Sequence, residues 1–212
     1  FPMDALLTLP QLSAFLVAAA LITLAPGPDN LMVLSLGVAR GREAGIAFGL
    51  GCALGCLSHT ALAALGISAL IAASAGAFAA LKIAGGLYLV WLGVQAIRNA
   101  RPFGATAHEL PAEGAARLFA KGLLANAVNP KVILFFLAFL PQFVAAGRSP
   151  GAQIVRLGLA FTLQAALIFA AIGWFAGGIG QSLQRHPAIG AWLDRLAGGI
   201  FVLLGLRLIA AR

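Results

Sequence analysis

Two prolines one residue apart, Pro26 and Pro28, stand in the middle of an apolar run from about residue 12 to residue 38. That run is long enough to cross a bilayer, where the backbone must satisfy its own hydrogen bonds and spanning segments are therefore helices. Neither proline has an N–H to give, and their rings press on the carbonyls of Ile22 and Leu24. Gly27 between them removes the last steric constraint on a turn. The stretch Leu24-Ala25-Pro26-Gly27-Pro28-Asp29-Asn30-Leu31 is thus expected to break the helix near mid-membrane. It frees carbonyls on one side and starts a half-helix at Asp29-Asn30 on the other. Such a break is tolerated only where protein or a wet cavity covers it. An ionisable residue at that depth marks a functional site, here a transport site.

The rest of the chain agrees with a membrane setting. Of 212 residues, 61% are hydrophobic and 9% charged, against about 25% charged in soluble domains. The net charge of +8 would suggest nucleic acid in a soluble chain. Here the basic residues fall in short loops between apolar runs, so a positive-inside bias explains them and no nucleic-acid partner is expected. Phe1-Pro2 ahead of Met3 are read as an appended extension. Asp4, with no Lys or Arg before the apolar run, argues against a cleaved signal peptide.

Six apolar runs of spanning length are expected: 12–38 (broken), 45–71, 76–97, 117–141 (broken), 155–178 and 190–210. With the N-terminus outside, inner loops hold Arg40, Arg42, Arg98, Arg101, Arg117, Lys121, Arg185 and Arg195. Outer segments hold Arg148, Arg156, Arg207 and Arg212, a ratio of eight to four that puts both termini in the periplasm. The polar loop from Asn99 to Ala116, with Pro102, Gly104 and Pro111, is expected to be cytoplasmic and mobile.

An internal repeat is visible. Lys82, Gly85-Gly86 and Tyr88 in the third run share their spacing with Arg195, Gly198-Gly199 and Phe201 in the sixth, and Gly93 matches Gly205 with a slip of one. Phe15 precedes Pro26 by the same interval that Phe119 precedes Pro130. Three spans per half make the second half enter from the opposite side. The expected fold is all-α and membrane-embedded, with six transmembrane helices as two inverted-topology three-helix repeats and broken helices one and four. The halves are 1–98 and 117–212, joined by the linker 99–116.

The second break is Ala125-Asn126-Ala127-Val128-Asn129-Pro130-Lys131. Asn129 before Pro130 has the sequence of a helix start, Asn at the N-cap and Pro at the first helical position. Free N–H groups, the positive helix end and Lys131 would hold an anionic group such as a carboxylate. Across the repeat, Asp29 and the freed carbonyls suit an ammonium group. A small zwitterion satisfies both, so an amino acid is the expected substrate. Pro26, Gly27, Pro28, Asp29, Asn30, Asn126, Asn129, Pro130 and Lys131 are the expected binding residues. The competing structural reading is that Asp29 and Lys131 pair and pin the halves together. An unpaired buried side-chain cation is costly, so a neutral or weakly polar side chain is expected on the substrate.

Asp29 and His59 are the candidates for proton coupling, His59 because its ordinary pKa lies near ~6.5. Tyr88, Gln142 and Gln164 are candidates to line a path, or glue between helices. Lys82 and Arg195 sit near span ends and are expected to snorkel. Cys52, Cys56 and His59 form an i, i+4, i+7 stripe that could serve a soft metal, in a cation carrier or channel, but small residues packing helices closely explain it better. Gly45, Gly49, Gly51, Gly55 and Gly66 let helices approach and form no phosphate loop. No span carries a nucleophile–base pair, so neither an enzyme nor a cofactor is expected.

Several of these pieces together resemble the LysE/RhtB family of amino-acid exporters across nearly the whole chain. They are Ala25-Pro26-Gly27-Pro28-Asp29-Asn30, His59 with Ala64-Leu65-Gly66, and Gly85-Gly86-Leu87-Tyr88-Leu89. Asn126, Asn129-Pro130-Lys131, Phe135-Phe136 and Leu140-Pro141-Gln142-Phe143 complete them. The resemblance implies a six-span carrier of the bacterial inner membrane that exports amino acids and is driven by the proton gradient. A homodimer is compatible with it.

Overall fold

The computed structural model describes residues 7–100, 113–145, 149–186 and 188–210. The secondary structure of these residues is helical. α1 (Leu9–Leu24) and α2 (Pro28–Arg40) make up the first broken run. α3 (Arg42–Ala73) and α4 (Ala75–Arg98) follow, then α5 (Ala115–Ala127) and the short α6 (Pro130–Leu134). α6 continues as a π-helical segment, Phe135–Phe139, and a 3-10 turn, Leu140–Phe143. α7 (Pro150–Arg185) and α8 (Ala188–Ala210) close the chain.

Local chemistry explains the ends of these helices. Thr8 caps α1 in a reciprocal capping box with Gln11. α1 stops at Leu24 and α2 starts with Pro28 at its first position, the two halves bent by 59°. Asn129 caps α6 by accepting from the Lys131 N–H, with Pro130 at the first position, and the bend there is 50°. Both breaks fall at the prolines expected. Gly41, at φ 86°, provides the left-handed turn between α2 and α3.

Three single helices are long and apolar enough to cross a membrane, and five crossings are reached if each bent pair is one. The sixth expected run, 190–210, forms α8 but does not join that count. Both termini and most of the loop 99–116 lie outside the described residues, as does Arg148.

α3 is the central helix, packed most heavily on α7 and α5, while α4 packs on α8. The α4–α8 contact is so close that its glycines are obligatory. A Cβ on Gly93 would sit 2.5 Å from the Gly198 carbonyl oxygen, and one on Gly205 would sit 2.6 Å from that of Gly86. These pairings run in opposite directions along the two helices, which are therefore antiparallel. Gly51 likewise lies on the Phe119 carbonyl and Gly122 on that of Phe48, joining α3 to α5. In a bilayer, where lipid is as apolar as leucine, such close approach and its dispersion contacts hold helices together. The core around the two breaks is aromatic, with Phe15, Phe135, Phe136, Phe139 and Phe161 all buried.

Candidate functional site

The two helix breaks meet. Asp29, in the first turn of α2, is 3% exposed, and Lys131, in α6, is 7% exposed. Both line one small cavity with Ile22, Thr23, Cys56, Asn126, Val132, Phe135, Phe161 and Phe169. Its volume is about 10 Å³, the space of roughly one water molecule.

Each charge has its own neutral partner. Asn126 Nδ2 donates to Asp29 Oδ2 at 2.8 Å, and Lys131 Nζ donates to the Ala25 carbonyl at 3.1 Å. The Lys131 ammonium also lies 5.9 Å from the Phe201 ring centroid, which brings α8 to the site. Asp29 and Lys131 form no ion pair within 4.0 Å, of the kind that Glu113 forms with Arg117 and Lys121. Direct pairing of Asp29 with Lys131 is therefore corrected: they face one cavity without touching. Gly27 makes room for this, since a Cβ there would lie 2.8 Å from Lys131 Nζ.

The carbonyls that side chains reach at the end of α1 are those of Thr23 and Ala25, beside those of Ile22 and Leu24, to which Pro26 and Pro28 have no N–H to give. Asn30 Nδ2 donates to the Thr23 carbonyl at 2.7 Å. α1 has already ended at Leu24, so the last residues before Pro28 present their carbonyls as a group, and side-chain reach decides which are used. Two buried polar atoms at the breaks have no partner, the acceptor Asn30 Oδ1 and the donor Asn129 Nδ2. An unpaired acceptor on one break and an unpaired donor on the other are vacancies of opposite kind. A buried polar atom left so costs roughly 1–3 kcal/mol.

Asn126 joins this cavity to α3. Cys56 Sγ donates to its Oδ1 at 3.4 Å, and its backbone carbonyl lies 3.0 Å from His59 Nε2. His59 is buried, 5.7 Å from the Phe136 ring, and does not line the cavity itself. Among the described residues no three His, Cys, Asp or Glu side chains gather as a metal site would require. A second, more open groove of about 270 Å³ lies between α2 and α5. Pro28, Asp29, Met32, Phe48, Ala125, Val128, Asn129 and Pro130 line it, so Asp29 borders both spaces.

Gln142, Gln164 and Tyr88 line neither space. Gln164 Nε2 donates to the Leu16 carbonyl at 3.0 Å and ties α7 to α1, while Tyr88 stands 5.3 Å from the Trp91 ring. Phe161 and Phe169 were missed from the sequence, where a phenylalanine in an apolar run carries no sign of what it will face. Phe135 entered only through the family likeness.

Apolar helices interrupted twice, with opposite charges buried at the interruptions, define a membrane-embedded translocator. The family model described as LysE type translocator matches residues 20–212, and the chain belongs to that family. It is 34% identical to an uncharacterized membrane protein of Vibrio cholerae, covering 94% of this chain and 96% of that protein. It is 31% identical to the threonine efflux protein of Escherichia coli K12 over 89% of this chain and 92% of the relative. The homoserine/homoserine lactone efflux protein of Salmonella typhimurium is 30% identical over 94% and 96%. No solved structure is a significant match.

Proposed function

We propose that this chain exports small neutral amino acids across the bacterial inner membrane by binding them between its two helix breaks, with proton coupling. The observation that carries the reading is that Asp29 and Lys131, both buried, face one cavity without pairing. A substrate ammonium would sit on Asp29 and the carbonyl end of α1. Its carboxylate would sit on Lys131 and the spare Asn129 donor. A bound zwitterion thus offsets the desolvation of both charges at once. The cavity is too small for an amino acid in this conformation, so binding requires opening, as alternating access demands. The groove between α2 and α5, which shares Asp29, is the natural route. Asp29 is the proposed proton site, with His59 linked to it through Asn126.

The relatives named for threonine and homoserine efflux make these the first substrates to test. Purified protein in liposomes preloaded with threonine or homoserine is expected to exchange labelled substrate, faster under an imposed pH gradient. Asp29→Asn and Lys131→Ala should each reduce exchange to background while remaining monodisperse. Wild-type exchange in both variants would refute the site. Indifference to the gradient would refute the coupling.

A further inference from the structure

We infer that the rings of Phe161 and Phe169 on α7 form the pocket for the substrate's side chain and set the largest side chain accepted. This rests on the zwitterion site proposed above. With the ammonium and carboxylate placed on Asp29 and Lys131, what is left of the cavity wall must face the α-substituent. Cys56 and Asn126 belong to the Asp29 side through the Cys56–Asn126–Asp29 hydrogen bonds. Apart from them and Thr23, the remaining wall is apolar: Ile22, Val132, Phe135, Phe161 and Phe169. It holds no charged group, so a charged side chain would find no partner there. A small or medium neutral one would exchange water for ring surface.

The three rings are not equivalent. Phe135 is clamped, with ring centroids at 6.1 Å from Phe15, 6.0 Å from Phe136 and 5.3 Å from each of Phe139 and Phe161. Phe161 is held by Phe135 and, at 5.0 Å, by Phe136. Phe169 lies two helical turns further along α7 and makes no ring pair among the described residues. Its backbone is packed against Gly49, where a Cβ would come within 2.8 Å of the Phe169 Cβ. Phe135 and Phe161 are therefore the fixed part of the wall, and Phe169 is the ring that can be shortened without dismantling the aromatic cluster.

The test uses the full chain in proteoliposomes preloaded with threonine, with serine, threonine, leucine and phenylalanine as competitors of labelled threonine. Phe169→Leu and Phe161→Leu should each improve leucine and phenylalanine relative to serine by about tenfold, the usual scale for one or two methylenes in an apolar pocket. Phe169 lies outside the ring cluster, so its variant reports on the wall even where Phe161→Leu loses the fold. Phe169→Trp should act in the opposite direction and worsen threonine relative to serine. An unchanged order of competitors in Phe169→Leu and Phe169→Trp, with Lys131→Ala still inactive, would overturn the inference and leave the zwitterion site standing. Exchange surviving in Lys131→Ala would instead remove the site on which the inference rests.

Discussion

Asn126 serves three neighbours with one amide and one carbonyl: Asp29, Cys56 and His59. It is 1% exposed and lines the cavity beside Asp29. Asn126→Ala leaves the Asp29 carboxylate without its buried donor, at a cost of roughly 1–3 kcal/mol. Its unfolding temperature should fall by several degrees, and exchange should fall with it. The contact to His59 uses the backbone carbonyl and survives the substitution, which separates Asp29 from His59 functionally. An unchanged melting temperature would show that Asp29 finds another partner. At this scale the sequence exposes what is improbable in hydrocarbon: Pro26, Pro28, Asp29, Asn126, Asn129 and Lys131 stand out because each is expensive there. The same logic does not sort Gln142, Gln164 and Tyr88, which line neither space; of these, Gln164 ties α7 to α1. Phenylalanines are cheap anywhere in such a run, so the cavity wall became visible only with the tertiary contacts.

The broken elements show how far local chemistry reaches. Pro26-Gly27-Pro28 and Asn129-Pro130 fix where α1 and α5 end, and the bends of 59° and 50° follow. The π-helical segment Phe135–Phe139 went unforeseen although its cause lies nearby. Pro141 has no N–H for the Leu137 carbonyl and its ring crowds that oxygen, so the turn before it widens. Away from the breaks, α2 is fastened to the start of α5. Arg40 Nη2 donates to the Glu113 carbonyl at 2.6 Å, and the Glu113 carboxylate accepts from Lys121 at 2.7 Å. That Lys121 hydrogen bond, with the charges of Lys121, Arg117 and Arg40, holds the Glu113 carboxyl below its ordinary value of 4.5. A depressed carboxyl stabilises the fold above its ordinary value and loses that contribution as the pH falls through the lowered one. Wild-type protein should therefore lose slightly more thermal stability than Glu113→Gln on acidification below about pH 4.5, the effect being small for a surface pair. Equal losses in the two proteins would mean that the latch contributes nothing.

For the whole chain, the informative pairing is that of α4 with α8. In the repeat, Gly85-Gly86 correspond to Gly198-Gly199 and Gly93 to Gly205. Exchanging each residue for its counterpart turns the Gly93–Gly198 contact into Gly205–Gly85, one residue from the Gly205–Gly86 contact that the helices make. Two contacts that are near-images of each other across an antiparallel pair support an inverted repeat. Two inverted three-helix halves would give six crossings, an even number, and would return both ends of the chain to one face. Five crossings, the number reached by length and composition, would separate them. With six crossings, the positive-inside bias of the basic loops predicts both ends outside. All three tryptophans are exposed, and Arg42 lies 4.3 Å over the Trp174 ring, as expected of an interfacial anchor. Parity is directly measurable. With Cys52 and Cys56 replaced by alanine, Met3→Cys and Ala211→Cys should both react with a membrane-impermeant maleimide added to spheroplasts, and neither should react in inverted vesicles. Labelling of both from the cytoplasmic face would reverse the orientation and keep the repeat. Labelling of the two from opposite faces would mean an odd number of crossings, and the inverted repeat would fall with it.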